Sequence, residues 1–284
     1  MKAATIEWLT LLHDVADQAD DIALHLFRAK DLRIEEKSDC SPVTEADRAI
    51  EERARAVISR RCSGVAVFGE EFGETAESSE VRLIIDPIDA TRNFVRGIPI
   101  FATLLAIEVD REVVAGVVSA PAMGLRWSAQ RGRGAHSGSR LLRTSKVGAL
   151  AEAQLFHSNI GGIGEPGAPE GLLGLMNRVE RTRGFGDFYQ HVLVAEGAGE
   201  IAIDPIVKPW DIAPLQVIVE EAGGCATTLE GERTIYGGSL VTSNGMLHEE
   251  TLHLLASSAQ IDSGNQNAGR SGAAGSGETA GSAD

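Results

Sequence analysis

The sequence predicts an α/β (α+β) protein with an N-terminal half over residues 1–150, a C-terminal half over 151–260 and a tail over 261–284. Three observations carry this. In the first half, two stretches with helical apolar spacing stand beside strand-like runs. From about residue 153, strand and helix alternate, as in an α/β unit. The last 24 residues are mostly Gly, Ser and Ala. They cannot bury enough surface to offset ordering, so a disordered tail is expected.

Residues 6–29 place Ile6, Leu9, Leu12, Ala16, Ala19, Ala23 and Leu26 at three- and four-residue steps, a helix with one apolar face. A second helix starts near Thr44 in "SPVTEADRAIEERARAVISRR", where Thr44 and Asp47 fit a capping box. "AVFGEEFGE" reads as a short strand running into an acidic loop, and "VRLIID" as a strand. "TLLAIEVDREVVAGVVSAPAM" reads as two strands joined by a tight turn at Asp110 and Arg111. "GLRWSAQRGRGAHSGSRLLRTSK" adds a strand and glycine-rich turns, giving a largely antiparallel sheet. In the second half, "AQLFHSNI" is a strand, "GGIGEPGAPEG" a loop and "LLGLMNRVE" a helix. "RTRGFGDF" leads into the helix "YQHVLVAEGAG", and "EIAIDP" is a strand. "WDIAPLQVIVEEAGG" is a helix closed by Gly223 and Gly224. "CATTLEG" and "SLVTSNG" are strands or turns, and "MLHEETLHLLASSA" is a final helix.

Composition narrows the function. A formal net charge of -15 opposes an electrostatic nucleic-acid binder, which needs a basic face. Cys40, Cys62 and Cys225 are scattered without CxxC spacing, which fits a reduced cytoplasm. The N-terminus lacks the apolar core of a signal peptide, and no run approaches the ~18 apolar residues of a membrane span. The seven histidines show no HxH or HExxH spacing, so zinc is not expected. GxSxG and the P-loop are missing from the sequence.

The acids carry the chemistry. In "RLIIDPIDATRNF", Asp86 ends an apolar strand, and Pro87, lacking an N–H, is expected to end its ladder. Ile88 then offers a carbonyl and Asp89 a second carboxylate. The amides of Ala90 and Thr91 open a short helix, a natural anion site. Hard oxygen ligands of this kind suit Mg²⁺. The same pattern also fits a strand-to-turn transition with an Asp cap. Asp211 stands just before an amphipathic helix, where capping is again the alternative. Glu70 and Glu71 follow a short strand and point different ways, so at most one meets a shared ion. Asp47 caps a helix or serves as a base that orients water. All of these acids fall at strand ends or helix starts, where α/β folds gather ligands.

These motifs resemble the inositol monophosphatase family. "DPIDATRNF" is similar to its first signature and "WDIAPLQVIVEEAGG" to its second, with "GEE" at 69–71 and "PVTEAD" at 42–47 in the family's order. The resemblance spans roughly residues 5–257. It implies a layered α/β/α/β sandwich of the inositol monophosphatase / fructose-1,6-bisphosphatase type and a Mg²⁺-dependent phosphomonoesterase acting through metal-activated water. It implies that Glu70, Asp86 and the Ile88 carbonyl hold one Mg²⁺, and that Asp86, Asp89 and Asp211 hold a second, with two or three per active site. Thr91, with Asp47 behind it and Glu70 beside the ions, would orient the water, and the Ala90 and Thr91 amides would cradle phosphate. It also implies a homodimer with a small-molecule phosphate ester as substrate. Two departures stand out. Ala90 replaces the usual glycine, which requires φ below zero or mild strain. Pro214 falls in the first turn if its helix begins at Ile212.

"DATRNFVRGIPIFATLLAI" and "GFGDFYQHVLVAEGAGEIAIDP" resemble the histidinol-phosphatase branch more than the inositol branch. The resemblance makes Asp89, Asp187, Asp204 and Asp211 substrate contacts. Carboxylates at Asp187 and Asp204 suit the ammonium and imidazolium of L-histidinol phosphate. A loop or N-cap role for Asp187 is the alternative. The rival functions are an inositol-1-monophosphatase or broad small-ester phosphatase, and a non-catalytic metal-binding regulator.

Overall fold

A computed structural model describes residues 7–38, 41–75, 79–159 and 171–256. The predicted disordered tail, Cys40, Ile6 and most of the loop "GGIGEPGAPEG" lie outside the described residues.

In chain order, helix α1 (Trp8–Leu26) leads to a two-stranded antiparallel ribbon, β1 (Ile34–Glu36) and β2 (Pro42–Thr44), and then to α2 (Glu45–Arg61). Next come β3 (Ala66–Gly69), β4 (Gly73–Glu74), β5 (Val81–Asp89), α3 (Thr91–Val95), β6 (Ala102–Val109), β7 (Glu112–Ala120), β8 (Leu125–Gln130), β9 (Ala135–Ser137) and β10 (Arg140–Leu141). The second half holds β11 (Gln154–His157), α4 (Leu172–Met176), β12 (Arg181–Gly184), α5 (Asp187–Ala195), β13 (Ile201–Asp204), α6 (Pro209–Glu221), β14 (Cys225–Thr227), β15 (Leu240–Ser243) and α7 (His248–Ala256).

Strands β3–β10 form an eight-stranded sheet in the order β10-β9-β8-β7-β6-β5-β3-β4, antiparallel except for the β3–β5 pair. The predicted turn at Asp110 and Arg111 joins β6 to β7, and both residues have positive φ (51° and 65°). Two left-handed residues give the twist that a two-residue hairpin needs. The other sheet runs β12-β11-β13-β15-β14.

Alternation along the strands sets the layers. On β5, Leu83, Ile85 and Ile88 pack with α1 and α2, while Ile84 faces the core shared with α5 and α6. On β13, Ala202 meets Val194 of α5, while Ile201 and Ile203 pack with Leu172 of α4 and Leu255 of α7. The result is the expected α/β/α/β layering, flanked on its far side by α4 and α7.

Two local expectations are corrected. The ladder does not stop at Pro87. It resumes at Asp89 through a bulge, with Asp86 opposite Leu104 and Asp89 opposite Ala102. Helix α6 begins at Pro209 rather than Ile212, so Asp211 lies inside its first turn and Pro214 is the sixth helical residue. Pro at the first position is pre-set for a helix start. Pro214 supplies no N–H to the carbonyl of Trp210, the bond a helix interior normally makes. Its backbone lies against β7, where Gly116 leaves room: a Cβ there would come within 2.8 Å of Pro214 Cα.

Candidate active site

The bulge places the two acids of the opening motif. In a regular strand, residues three apart face opposite sides. Between Asp86 and Asp89, β5 spends three steps against two on β6, so both carboxylates return to one face. Pro87 is the residue the bulge accommodates, and its carbonyl accepts the Thr103 hydroxyl at 2.8 Å. The chain end of β3 lies beside that of β5 because the two run parallel, with Gly69 opposite Ile85. The Glu70 amide donates to the Ile85 carbonyl at 3.2 Å, which sets Glu70 next to Asp86.

Helix α6 brings the third acid. Asp211 Oδ2 accepts the backbone amide of Lys208 at 2.7 Å, a capping contact that fixes its rotamer. Carboxylate oxygens of Asp86, Asp89 and Asp211 lie within 4.8 Å of one another. Asp86 is 3% exposed, and its Oδ1 has no hydrogen-bond partner among the described residues. Burial, reinforced by Glu70, Asp89 and Asp211, pushes the Asp86 carboxyl well above its usual range. Burial, then Asp187 and Asp211, does the same to Asp89. Burial, with Glu70 and Asp204 adding to it, raises Asp211 to about 7. Converging carboxylates with an unpartnered buried oxygen are suited to a hard divalent ion.

Glu70 stands outside that tight trio. Lys37 holds it at 2.7 Å and Glu71 at 2.6 Å. Burial opposes the Lys37 charge, but bonds to the two glutamates raise its pKa. Burial is the main cause that lifts Glu71 to about 7. Both glutamates thus share one ammonium.

Beside the cluster, the predicted capping box forms: the Thr44 amide and hydroxyl donate to Asp47 Oδ2 at 2.8 and 2.6 Å. Asp47 is 1% exposed, and burial raises it to about 6 against the pull of Thr44. The Thr91 hydroxyl donates to the Ile88 carbonyl at 2.8 Å and lies 3.4 Å from Asp47 Oδ1. Between them Ala90 has φ 64° and ψ 44°. Of the two options the sequence left open, the strained one is realised, at about 1–2 kcal/mol for an L-residue.

Asp187 and Asp204 line a cavity of about 470 Å³ together with Arg92, His157 and Phe185. A smaller one of about 90 Å³ touches Asp89, Asp187, Asp204 and Asp211, joining this wall to the acid cluster. Asp187 has φ 50°, and burial, then Asp204, raises it to about 6. The next amide, of Phe188, donates to Asp89 Oδ2 at 2.8 Å. Gln190 Nε2 donates to Asp204 Oδ2 at 3.2 Å. Every predicted site residue therefore lies in one continuous region. Sequence reasoning missed Lys37, Gln190 and the buried Glu51. Glu51 had a readable signal: it interrupts the apolar stripe of Ile50, Ala54, Val57 and Ile58 on α2.

Residues 6–260 match the inositol monophosphatase family. A histidinol-phosphatase of Mycobacterium tuberculosis is 46% identical over 249 residues, covering 86% of this chain and 96% of its own. A histidinol-phosphatase of Streptomyces coelicolor is 43% identical over 256 residues, covering 87% and 96%. Among solved structures, the extragenic suppressor protein suhB from Bartonella henselae has a TM-score of 0.82 at 27% identity, over 89% of this chain and 99% of that one. The family is metal-dependent, and the acid cluster can hold a metal ion.

Proposed function

We propose that this chain, which belongs to the inositol monophosphatase family and is a phosphoric monoester hydrolase, acts with Mg²⁺ on L-histidinol phosphate, giving L-histidinol and phosphate in histidine biosynthesis. The observation that carries the reading is the convergence of Asp86, Asp89 and Asp211 around an unpartnered buried oxygen. Glu70, Asp86, Asp89, Asp211 and the Ile88 carbonyl would hold two or three Mg²⁺. When bound, Mg²⁺ supplies the positive charge that neutralises the phosphate and makes water easier to ionise.

The chain's own groups do the rest. Asp47 Oδ1 and the Thr91 hydroxyl, 3.4 Å apart, orient the attacking water together. The amides of Ala90 and Thr91, at the start of α3, point at the phosphate. Asp187 and Asp204 face the leaving alcohol and take its ammonium and imidazolium through charge-assisted bonds. The names of the two relatives support this choice of ester. The same reading has the enzyme working as a homodimer, as the family resemblance implies, and in the cytoplasm, which the scattered cysteines fit.

The test compares kcat/KM for Mg²⁺-dependent phosphate release from L-histidinol phosphate and inositol 1-phosphate. One charge-assisted bond contributes about 1.5–3 kcal/mol, so histidinol phosphate is expected to win by at least ~10-fold. The opposite preference assigns the chain to inositol phosphate. Release from neither ester leaves the metal-binding regulator.

A further inference from the structure

Glu51 lies on α2 one turn beyond Asp47 and is 0% exposed. A fully buried carboxylate is costly unless every oxygen is met by donors. Its donors are unusual in where they come from. Glu51 Oε2 accepts the backbone amide of Glu71 at 2.8 Å, and Oε1 that of Phe72 at 3.2 Å. Arg55, one turn further along the helix, donates to Oε1 through Nε at 2.9 Å and an NH₂ group at 2.6 Å, and the same guanidinium bonds the Gly73 carbonyl. Three contacts of this ion pair, to the Glu71 and Phe72 amides and the Gly73 carbonyl, therefore close on a single segment, the turn between β3 and β4 that carries Glu70. Gly69, immediately before Glu70, is shaped by the same carboxylate: a Cβ there would lie 2.2 Å from Glu51 Oε1. Held by four N–H groups from three residues, the Glu51 carboxylate is fixed in place.

We propose that Glu51 is a positioning residue for the cation site: it clamps the turn so that Glu70 is presented beside Asp86. The proposal rests on the metal reading above but adds a residue that would touch neither ion nor substrate. Asp47 and Glu51, four residues apart, lie on one face of α2. One helix face thus supports both the water-orienting side of the site and its glutamate ligand. The Glu70 amide bond to Ile85 fixes the start of the turn, and the Glu51 clamp fixes the residues that follow, so the two together set the direction of the Glu70 side chain.

The experiment is calorimetric titration of the full chain with Mg²⁺, without substrate, for wild type and Glu51→Gln. Gln places an NH₂ among donors, so the clamp opens. Loss of a group that orients a metal ligand typically weakens the metal about 10- to 100-fold. Glu51→Gln is expected to raise the Mg²⁺ Kd by at least ~10-fold, while kcat recovers at saturating Mg²⁺ and KM for the ester stays put. That split separates positioning from general damage, which would lower kcat at every Mg²⁺ concentration. Gly69→Ala, which pushes a methyl against the same carboxylate, is the second variant and should show the same split if Glu51→Gln does not fold. An unchanged Kd in the folded variant overturns the role of Glu51 and leaves the metal reading standing. A wild-type chain that binds no Mg²⁺ overturns both.

Discussion

Removing Mg²⁺ should make the protein less stable as pH rises, and the size of the effect follows from the acid cluster. The carboxyl of Asp211 is raised from 3.8 to about 7, and Asp86 and Asp89 are raised well above the same starting value. A carboxyl whose folded pKa is raised stabilises the fold in its neutral form. That contribution is present below the unfolded pKa and is lost as pH climbs through the folded one. For Asp211 the window runs from about pH 4 to 7. At ~1.4 kcal/mol per pH unit, the difference between about 7 and 3.8 amounts to about 4 kcal/mol. For a chain of this size that corresponds to a Tm lower by roughly 10 °C. His13 and His248 act the other way, since burial lowers both: their contribution rises as pH climbs from the lowered folded pKa to 6.5 and is constant above it. The Mg²⁺-dependent difference cancels their contribution. The assay is thermal unfolding in chelator and in excess Mg²⁺ at half-unit steps from pH 5 to 8. The Mg²⁺-induced rise in Tm should grow steadily with pH, because the ion must displace the protons that the cluster holds. A rise that stays constant across that range, or shrinks, refutes the reasoning.

Three substitutions probe other parts of the site. Asp89→Asn should cut kcat at least ~100-fold, as loss of a charged group in the catalytic constellation does, with an unchanged circular dichroism spectrum; wild-type turnover would remove Asp89 from the machinery. Asp187→Ala should raise KM for L-histidinol phosphate ~10-fold or more, by loss of a charge-assisted bond, with little change for a neutral ester. Equal increases for both esters would take Asp187 out of cation recognition. Gly116→Ala drives a methyl into Pro214 Cα and Val217 Cγ1; overpacking of this kind costs about 1–3 kcal/mol, so Tm should fall by several degrees, and an unchanged Tm would contradict the close approach of α6 to β7.

What was readable in the sequence was local chemistry. The Thr44–Asp47 box, the Asp110–Arg111 turn and the glycine closure of α6 are each decided within a few residues. The last forms a Schellman motif, with Gly223 donating to Glu220 and Gly224 to Val219. What was not readable depends on partners far along the chain. The bulge at Pro87 exists only against β6. Lys37 meets Glu70 across 33 residues. β12, "RTRG", is an exposed edge strand with no apolar alternation to betray it. The start of α6 is a different case: Pro209 is a local start signal, pre-set for a first helical position, which a start at Ile212 passes over. Ala90 was the sharpest local question. Its left-handed geometry follows from the demand that β5 deliver Asp89 and then turn at once into α3.

Anomalous scattering from crystals soaked in Mn²⁺, a hard ion that substitutes for Mg²⁺ at oxygen sites, tests the central claim most directly. The account predicts peaks within coordinating distance of Asp86, Asp89 and Asp211, one of them shared with Glu70 after it has left Lys37. A cluster that stays free of Mn²⁺ while the protein still releases phosphate would contradict it.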